Sequence, residues 1–439
     1  MARLLYLVHR LPFPPNKGDK VRSFNLLRHL AESNEVFLGT FVDDADNGSY
    51  VDALRPYCAG LHAERLRRPF AFMRSLTGFV SGEALTAGYY RSRSLKRWVD
   101  ATVSEQGIDT AVIFCSAMAQ FVDDLPQLRV VCDLVDVDSA KWLQYAELHR
   151  WPLSSIYRRE SRTLLEVEKR AVRRSARAFF VTQAEARLFR ELAPECADHV
   201  DVSGNGVDTA YFDPAIDMRS PYAAGEKAIL FTGAMDYLPN VDAVRWFAEQ
   251  AMPAIRSARP EARFYIVGSN PTPPVRALAQ NGAVVTGSVP DVRPYLRHAD
   301  VVVAPLRIAR GIQNKVLEAM AMARAVVISD ACAKSIEPRV RAGLAVAADA
   351  AQFADEVRAL LDDPETADRA GQIGRRTVLR EFTWGASLAP IDRVLPTGEA
   401  SRAERRDGAQ GRSADRREGF DADTASRTGF EAGAPETSA

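Results

Sequence analysis

The sequence predicts an α/β protein of two doubly wound domains in series, and three observations predict it. Short apolar runs of strand length recur along the chain, amphipathic helical stretches separate them, and the second half repeats the alternation. Continuous apolar runs alternating with helices are the pattern of a parallel sheet covered on both faces.

In the first half the strand-like runs are 4–8, 35–41 (EVFLGTF), 111–115 (AVIFC), 129–135 (RVVCDLV) and 178–182 (AFFVT). A Pro- and Gly-rich loop, LPFPPNKGDK, follows the first, and a helix with Phe24, Leu27 and Leu30 spaced by three comes next. In the second half the runs are 229–233, 263–269, 283–289, 300–305, 325–329 and 343–347, with helices between them. One of those helices, NVDAVRWFAEQA, aligns Val241, Val244, Ala248 and Ala251 on one face. The join falls near SGNGVDTAYFDP (203–214), where Gly204 and Gly206 permit unusual backbone angles. The expected domains are 1–200 and 201–395. The tail 396–439 has two aromatics, no periodicity and many Arg, Asp, Glu, Gly and Ala, too little apolar surface to offset ordering entropy.

Composition narrows the function. Lys plus Arg equals Asp plus Glu, 57 each, so no basic excess points to nucleic acid. Five cysteines, at 58, 115, 132, 196 and 332, form no C-x-x-C pair and fit a reducing compartment; Cys115 and Cys132 lie in apolar runs and read as packing residues. The apolar run at the N-terminus is five residues, short of a secretory core or a membrane span, so the expectation is a cytoplasmic protein, at most peripheral on the inner face of the cytoplasmic membrane. The six histidines are scattered without metal-ligand spacing.

The segment PLRIARGIQNKVLEAMAMARAVVIS (305–329) carries the most chemistry. It reads as strand, loop, a helix over about 312–323, and strand. Gly311, Asn314, Lys315 and Glu318 share one helix face by i, i+3, i+4 and i+7 spacing, while Val316, Met320 and Ala323 form an apolar face. Amides at a helix N-terminus attract a diphosphate, a glycine lets it approach, and a carboxylate two turns further in can accept from both hydroxyls of a ribose. Spacing alone leaves open an ordinary amphipathic helix with a solvated polar face.

GNGVDTAYFDP, FTGAMDYLPNVDAV, VTGSVPDVRPYLRHADVVVAPLR and GIQNKVLEAMA occur in the order found in glycosyltransferase family 4, which the chain resembles over about residues 3–392. LVHRLPFPPNKGDKVRSFNLLRHL and DLVDVDSAKWLQYA are similar to the branch associated with PEP-CTERM/exosortase and exopolysaccharide systems. The resemblance implies a GT-B fold, two Rossmann-like domains facing a cleft, and retaining, metal-independent sugar transfer from a nucleoside diphosphate sugar. The acceptor is then a glycan or a polyprenyl-linked acceptor, and no cofactor is implied. It places the ribose on Glu318, and Gly18, Gly233, Gly311, Asn314 and Lys315 around the donor phosphates.

Two departures stand out. Family members carry a second glutamate eight positions before the ribose one; here that position is Arg310, which cannot accept from sugar hydroxyls but can grip a diphosphate oxygen, or a carboxylate on the sugar. The Arg and Lys common after the strand 229–233 are also missing, which leaves Arg310 and Lys315 as the cations for the leaving group. Where the family often has a histidine beside the sugar, this chain offers Asp133, Asp136 and Asp138. Asp136, at a strand end, is the candidate catalytic residue with Arg310; Asp138 equally suits a helix N-cap, and His9 is a lesser candidate.

Two stretches are basic. Residues 61–98 hold eight Lys or Arg against two acids, with interleaved aromatics, and residues 150–177 hold nine against three, which suits a membrane face or an anionic acceptor as well as a solvated surface. Rival readings are a dinucleotide oxidoreductase, disfavoured by the lack of G-x-G-x-x-G after any predicted strand, a degenerate GT-B protein that only binds, and a GT-B nucleotide-sugar epimerase.

Overall fold

The computed structural model describes residues 1–15, 18–42, 48–307, 313–334, 336 and 340–396. Arg310, Gly311, Asn16, Lys17 and the tail beyond 396 lie outside the described residues.

The first sheet comprises β1 (Ala2–Val8), β2 (Asn34–Val42), β3 (Gly60–Arg65), β4 (Thr110–Phe114), β5 (Arg129–Val135), β6 (Arg177–Phe180) and β7 (Val200–Val202), ordered β3-β2-β1-β4-β5-β6-β7. The second comprises β8 (Lys227–Thr232), β9 (Ala262–Val267), β10 (Val284–Gly287), β11 (Val301–Ala304), β12 (Val326–Ser329) and β13 (Leu344–Ala347), ordered β10-β9-β8-β11-β12-β13. All pairings are parallel, with Leu4 opposite Val36 and Thr110 in the first sheet and Ile229 opposite Phe264 and Val301 in the second. Each sheet builds a separate core, one around Tyr6, Phe114 and Phe179 and one around Phe231, Phe247 and Val302. The strand order reverses at β1/β4 and at β8/β11, and ligands of open α/β sheets bind beyond the strand ends at such points.

Every run singled out from the sequence is a strand, but β3 and β7 are additional. Both are sheet edges, and β3 (GLHAER) is half-buried and polar, so neither carries a buried strand's apolar signature. The helix after β8 also differs from its expected face. It runs Leu238–Trp246 and continues into a π-helical turn, Phe247–Ala251, and its buried residues are Asn240, Ala243, Val244, Phe247 and Ala251; Val241 and Ala248 flank them. The buried positions keep ordinary helical spacing, and the face is set one residue earlier because Asn240 turns inward.

The chain crosses between the sheets twice, side by side. Val207 bridges Thr383, and Leu388 and Ile391 of the last helix (Trp384–Asp392) belong to the first core. Gly206 is required here by contact rather than by a left-handed angle, since a Cβ would sit 2.8 Å from Trp384 Cα; Gly204 meets nothing within 4 Å. Arg22, fully buried in the first helix (Gly18–Ser33), ties sheet to crossing: Nε donates to Asp133 at 2.7 Å and Nη1 to Gly204 O at 2.7 Å.

Candidate functional site

The two sheets point their carboxyl ends at a shared cleft of about 1280 Å³. From the first domain it is lined by His9, Gly18, Asp19, Asp136 and Asp138, and from the second by Gly233, Asn240, Asn314, Lys315 and Glu318. Every expected site residue within the described residues therefore lines one space.

The second-domain wall is built on the helix Asn314–Ala321, which starts later than the predicted 312. Val316, Leu317, Ala319 and Met320 are buried in the core, and this turns Asn314, Lys315 and Glu318 to the cleft. The side chain of the N-cap residue Gln313 makes no capping hydrogen bond, so among the described residues the first-turn amides form a positive helix end at the cleft.

Lys315 is held rather than loose. Its Nζ donates to Asn240 Oδ1 at 2.8 Å and lies 4.7 Å from the centre of the Phe231 ring. Asn240 is buried and its Nδ2 donates to Ala234 O at 2.8 Å, so one amide links the loop after β8 to the lysine. Burial lowers the Lys315 pKa to about 8 against the attraction of Glu318, and burial raises the Glu318 carboxyl to about 7 against the attraction of Lys315. Burial thus holds each group back from full ionisation, and the opposite charge of the other favours it.

Two glycines line the same wall of the cleft. A Cβ on Gly233 would come within 2.8 Å of Asn240 Nδ2, and one on Gly268 would lie 1.6 Å from Gly233 O. The backbones at the ends of β8 and β9 thus touch, and both glycines line the cleft.

On the first-domain wall, Gly18 opens the first helix and faces the cleft with nothing within 4 Å of a would-be Cβ, space that a ligand could enter. His9 stacks on Phe114 at 5.9 Å and lies 3.9 Å from Asp19, whose carboxylate also meets Arg10 Nη1 at 3.3 Å. Cys115 and Val135, on the same wall, have φ of 77° and 67°, a conformation that costs of order 1–3 kcal/mol and is concentrated at ligand sites. Burial pushes the Cys115 thiol up to about 12, which leaves it inert.

The three aspartates separate by role. Asp133 is fully buried against Arg22 and does not reach the cleft. Asp136 and Asp138 both reach it, but both are paired with Lys141, at 2.9 and 3.0 Å. Their charge holds the Lys141 pKa well above its usual value. Asp138 is not an N-cap. It is the first residue of the helix Asp138–Leu148, and the amides there are satisfied by buried glutamates: Glu185 accepts from Val137 N at 2.8 Å and Glu168 from Ser139 N at 3.0 Å.

Asn240, Gly268 and Lys141 are cleft residues beyond the sequence reading. Asn240 had a signal, a polar residue one turn before Ala243 and Val244 on a buried helix face. Gly268 ended an apolar run as Gly233 did. Lys141 carried none beyond its spacing from Asp138.

Comparison with known proteins gives a match for part of the chain and for its whole fold. Residues 226–363 match the family model described as glycosyl transferases group 1. No curated protein matches the chain. Sucrose-phosphate synthase from Thermosynechococcus elongatus superposes with a TM-score of 0.61 at 17% identity, over 90% of this chain and 98% of that one. HepE of Anabaena in complex with UDP gives 0.60 at 14% identity, over 90% and 99%. WaaG, a glycosyltransferase involved in lipopolysaccharide biosynthesis, gives 0.57 at 14%, over 90% and 100%. The chain has the GT-B fold, and the part that matches the glycosyl transferases group 1 model lies within its second half.

Proposed function

We propose that this protein transfers a sugar from a nucleoside diphosphate sugar to a glycan or lipid-linked acceptor, with retention and without a metal, in the cytoplasm and in the service of exopolysaccharide synthesis. The observation that carries it is the single face of the helix Asn314–Ala321, which sets a helix N-terminus, an anchored lysine and a deep carboxyl in a row along the cleft. Similarity to a UDP complex and to a lipopolysaccharide glycosyltransferase supports the donor and acceptor classes.

In this reading Glu318 accepts from the ribose hydroxyls, the diphosphate meets the helix amides and Lys315, and the touching glycines 233 and 268 let it approach the backbone. The bond from the anomeric carbon to the β-phosphate oxygen breaks and one to the acceptor hydroxyl forms. The acceptor proton passes to the departing phosphate, whose charge Lys315 and the amides stabilise. Gly18 faces the same phosphates across the cleft. Asp136 orients the donor sugar with its charge balanced by Lys141, a positioning task that a paired carboxylate can perform. Arg310 supplies the second cation and selects the sugar.

The test is incubation of the full chain with UDP- and GDP-sugars, reading nucleotide release and the released sugar. Slow donor hydrolysis and nucleotide binding are expected. Isomerised donor would indicate an epimerase and binding without turnover a degenerate member; absence of both binding and turnover with every donor would refute the reading.

A further inference from the structure

The helices Arg68–Leu76 and Gly78–Ser81 bury little beyond Ala71, Ser75 and Gly78. They leave Val80 94% exposed, Met73 68%, Phe70 65% and Phe72 60%. At the turn between the helices Asp138–Leu148 and Leu153–Arg174, Trp151 is 80% and Leu148 77% exposed. The two groups are joined through the helix Leu153–Arg174, which begins just after Trp151 and whose Arg159 meets Phe79. Arg159, about 9 Å along its helix from Leu153 at 1.5 Å per residue, lies 5.0 Å from the Phe79 ring and donates to Glu83 O at 3.1 Å. Soluble surfaces seldom gather so many large exposed apolar side chains.

The ground around them is more basic than the sequence suggests. Of the three acids within 150–177, two face inward: Glu160 accepts from Leu85 N and Thr86 N, and Glu168 from Ser139. Both are buried, leaving Glu166 alone among the nine Lys and Arg of that stretch. Between this helix and the segment 81–91 runs a groove of about 960 Å³ whose lining holds six arginines against three acids, Glu83, Asp123 and Glu166. Arg91 pairs with Glu83 at 2.8 Å and Arg170 with Asp123 at 3.8 Å, which leaves Arg159, Arg162, Arg173 and Arg174 in excess.

We propose that this apolar ridge and the arginine groove beside it form one surface that docks the protein on an anionic lipid bilayer, aromatic and aliphatic side chains entering the interface while the arginines meet the headgroups. The chemistry matches on both counts, since interfacial binding scales with buried apolar area and with cationic charge near anionic lipid. The helix Asp138–Leu148 runs from this surface back to the cleft, with Tyr145 and Asp138 both lining the cleft, a separation of about 15 Å for its length. Docking would then hold the cleft within reach of a lipid-linked acceptor, and only that consequence rests on the proposed function.

The test uses the full chain with vesicles of phosphatidylcholine alone and of phosphatidylcholine mixed with phosphatidylglycerol, reading the bound fraction by flotation. Binding to the anionic vesicles, weakened by salt, is expected. It should fall at least about tenfold in Phe70→Ser/Phe72→Ser and in Trp151→Ser, and also in Arg162→Gln/Arg170→Gln. All these side chains are exposed, so the unfolding temperature and nucleotide binding should be unchanged, which separates this result from the fate of the cleft reading. Wild-type protein that ignores anionic vesicles, variants that bind as wild type does, or variants that instead dissolve a dimer of this chain with no vesicle bound would overturn the proposal.

Discussion

Glu318→Gln separates the nucleotide-binding role of the carboxylate from any structural one. Glutamine keeps the shape and one acceptor but loses the charge. A charge-assisted hydrogen bond contributes about 1.5–3 kcal/mol, so donor affinity should fall roughly tenfold to a hundredfold. The pH dependence makes the prediction sharper. The carboxyl is raised to about 7, so wild-type affinity for a UDP-sugar, whose diphosphate does not titrate in this range, should climb as pH rises from 6 through 7. It should fall again as Lys315, lowered to about 8, loses its proton. The variant should lose the acid limb and keep the alkaline one. Stability moves the other way. With its folded pKa above the ordinary 4.5, the native carboxyl holds an extra proton between about 4.5 and 7. Its contribution to stability is therefore fully present at low pH and declines as pH rises through that window, by on the order of 3 kcal/mol. Above pH 7 the variant should unfold no earlier than the wild type. Titration calorimetry from pH 6 to 9 with parallel thermal melts reads both. Unchanged affinity with an intact acid limb would refute the assignment of the ribose to Glu318.

Four further outcomes follow from the geometry. Asn240→Ala removes the acceptor that holds Lys315 Nζ and should lower turnover several-fold while Lys315→Met lowers it more and abolishes the alkaline limb, as a pH–rate profile would show. Gly268→Ala drives a methyl into Gly233 O and should destabilise by at least about 1–3 kcal/mol, read as a lowered midpoint in urea. Arg22→Leu leaves Asp133 buried and unpaired and should cost about 3–5 kcal/mol, largely recovered when Asp133→Leu is added. Arg310→Glu places a carboxylate eight positions before Glu318, as in the family the sequence resembles, and should change which donor sugars are hydrolysed, measured across a panel of UDP- and GDP-sugars.

Much of this was legible because parallel strands buried on both faces announce themselves as apolar runs, and because helix spacing alone puts Asn314, Lys315 and Glu318 on one side. The edges β3 and β7 escaped for the same reason, being too polar or too short to leave that mark. Partnership across the chain was invisible. Asp133, Asp136 and Asp138 look alike in sequence, yet a helix 111 residues away claims the first as the partner of Arg22, while Lys141 pairs with the other two. A charge inside the run RVVCDLV did demand a buried cation, but nothing local said that Arg22 would supply it. Asn240 similarly acquires its meaning only when Lys315 arrives from another element.

The most direct measurement is a crystal structure of the full chain with UDP or GDP. The ribose hydroxyls should lie within hydrogen-bond distance of the Glu318 carboxylate, with the diphosphate over the amides that begin the helix Asn314–Ala321 and against Lys315. A nucleotide seated elsewhere in the cleft, or outside it, would contradict the account.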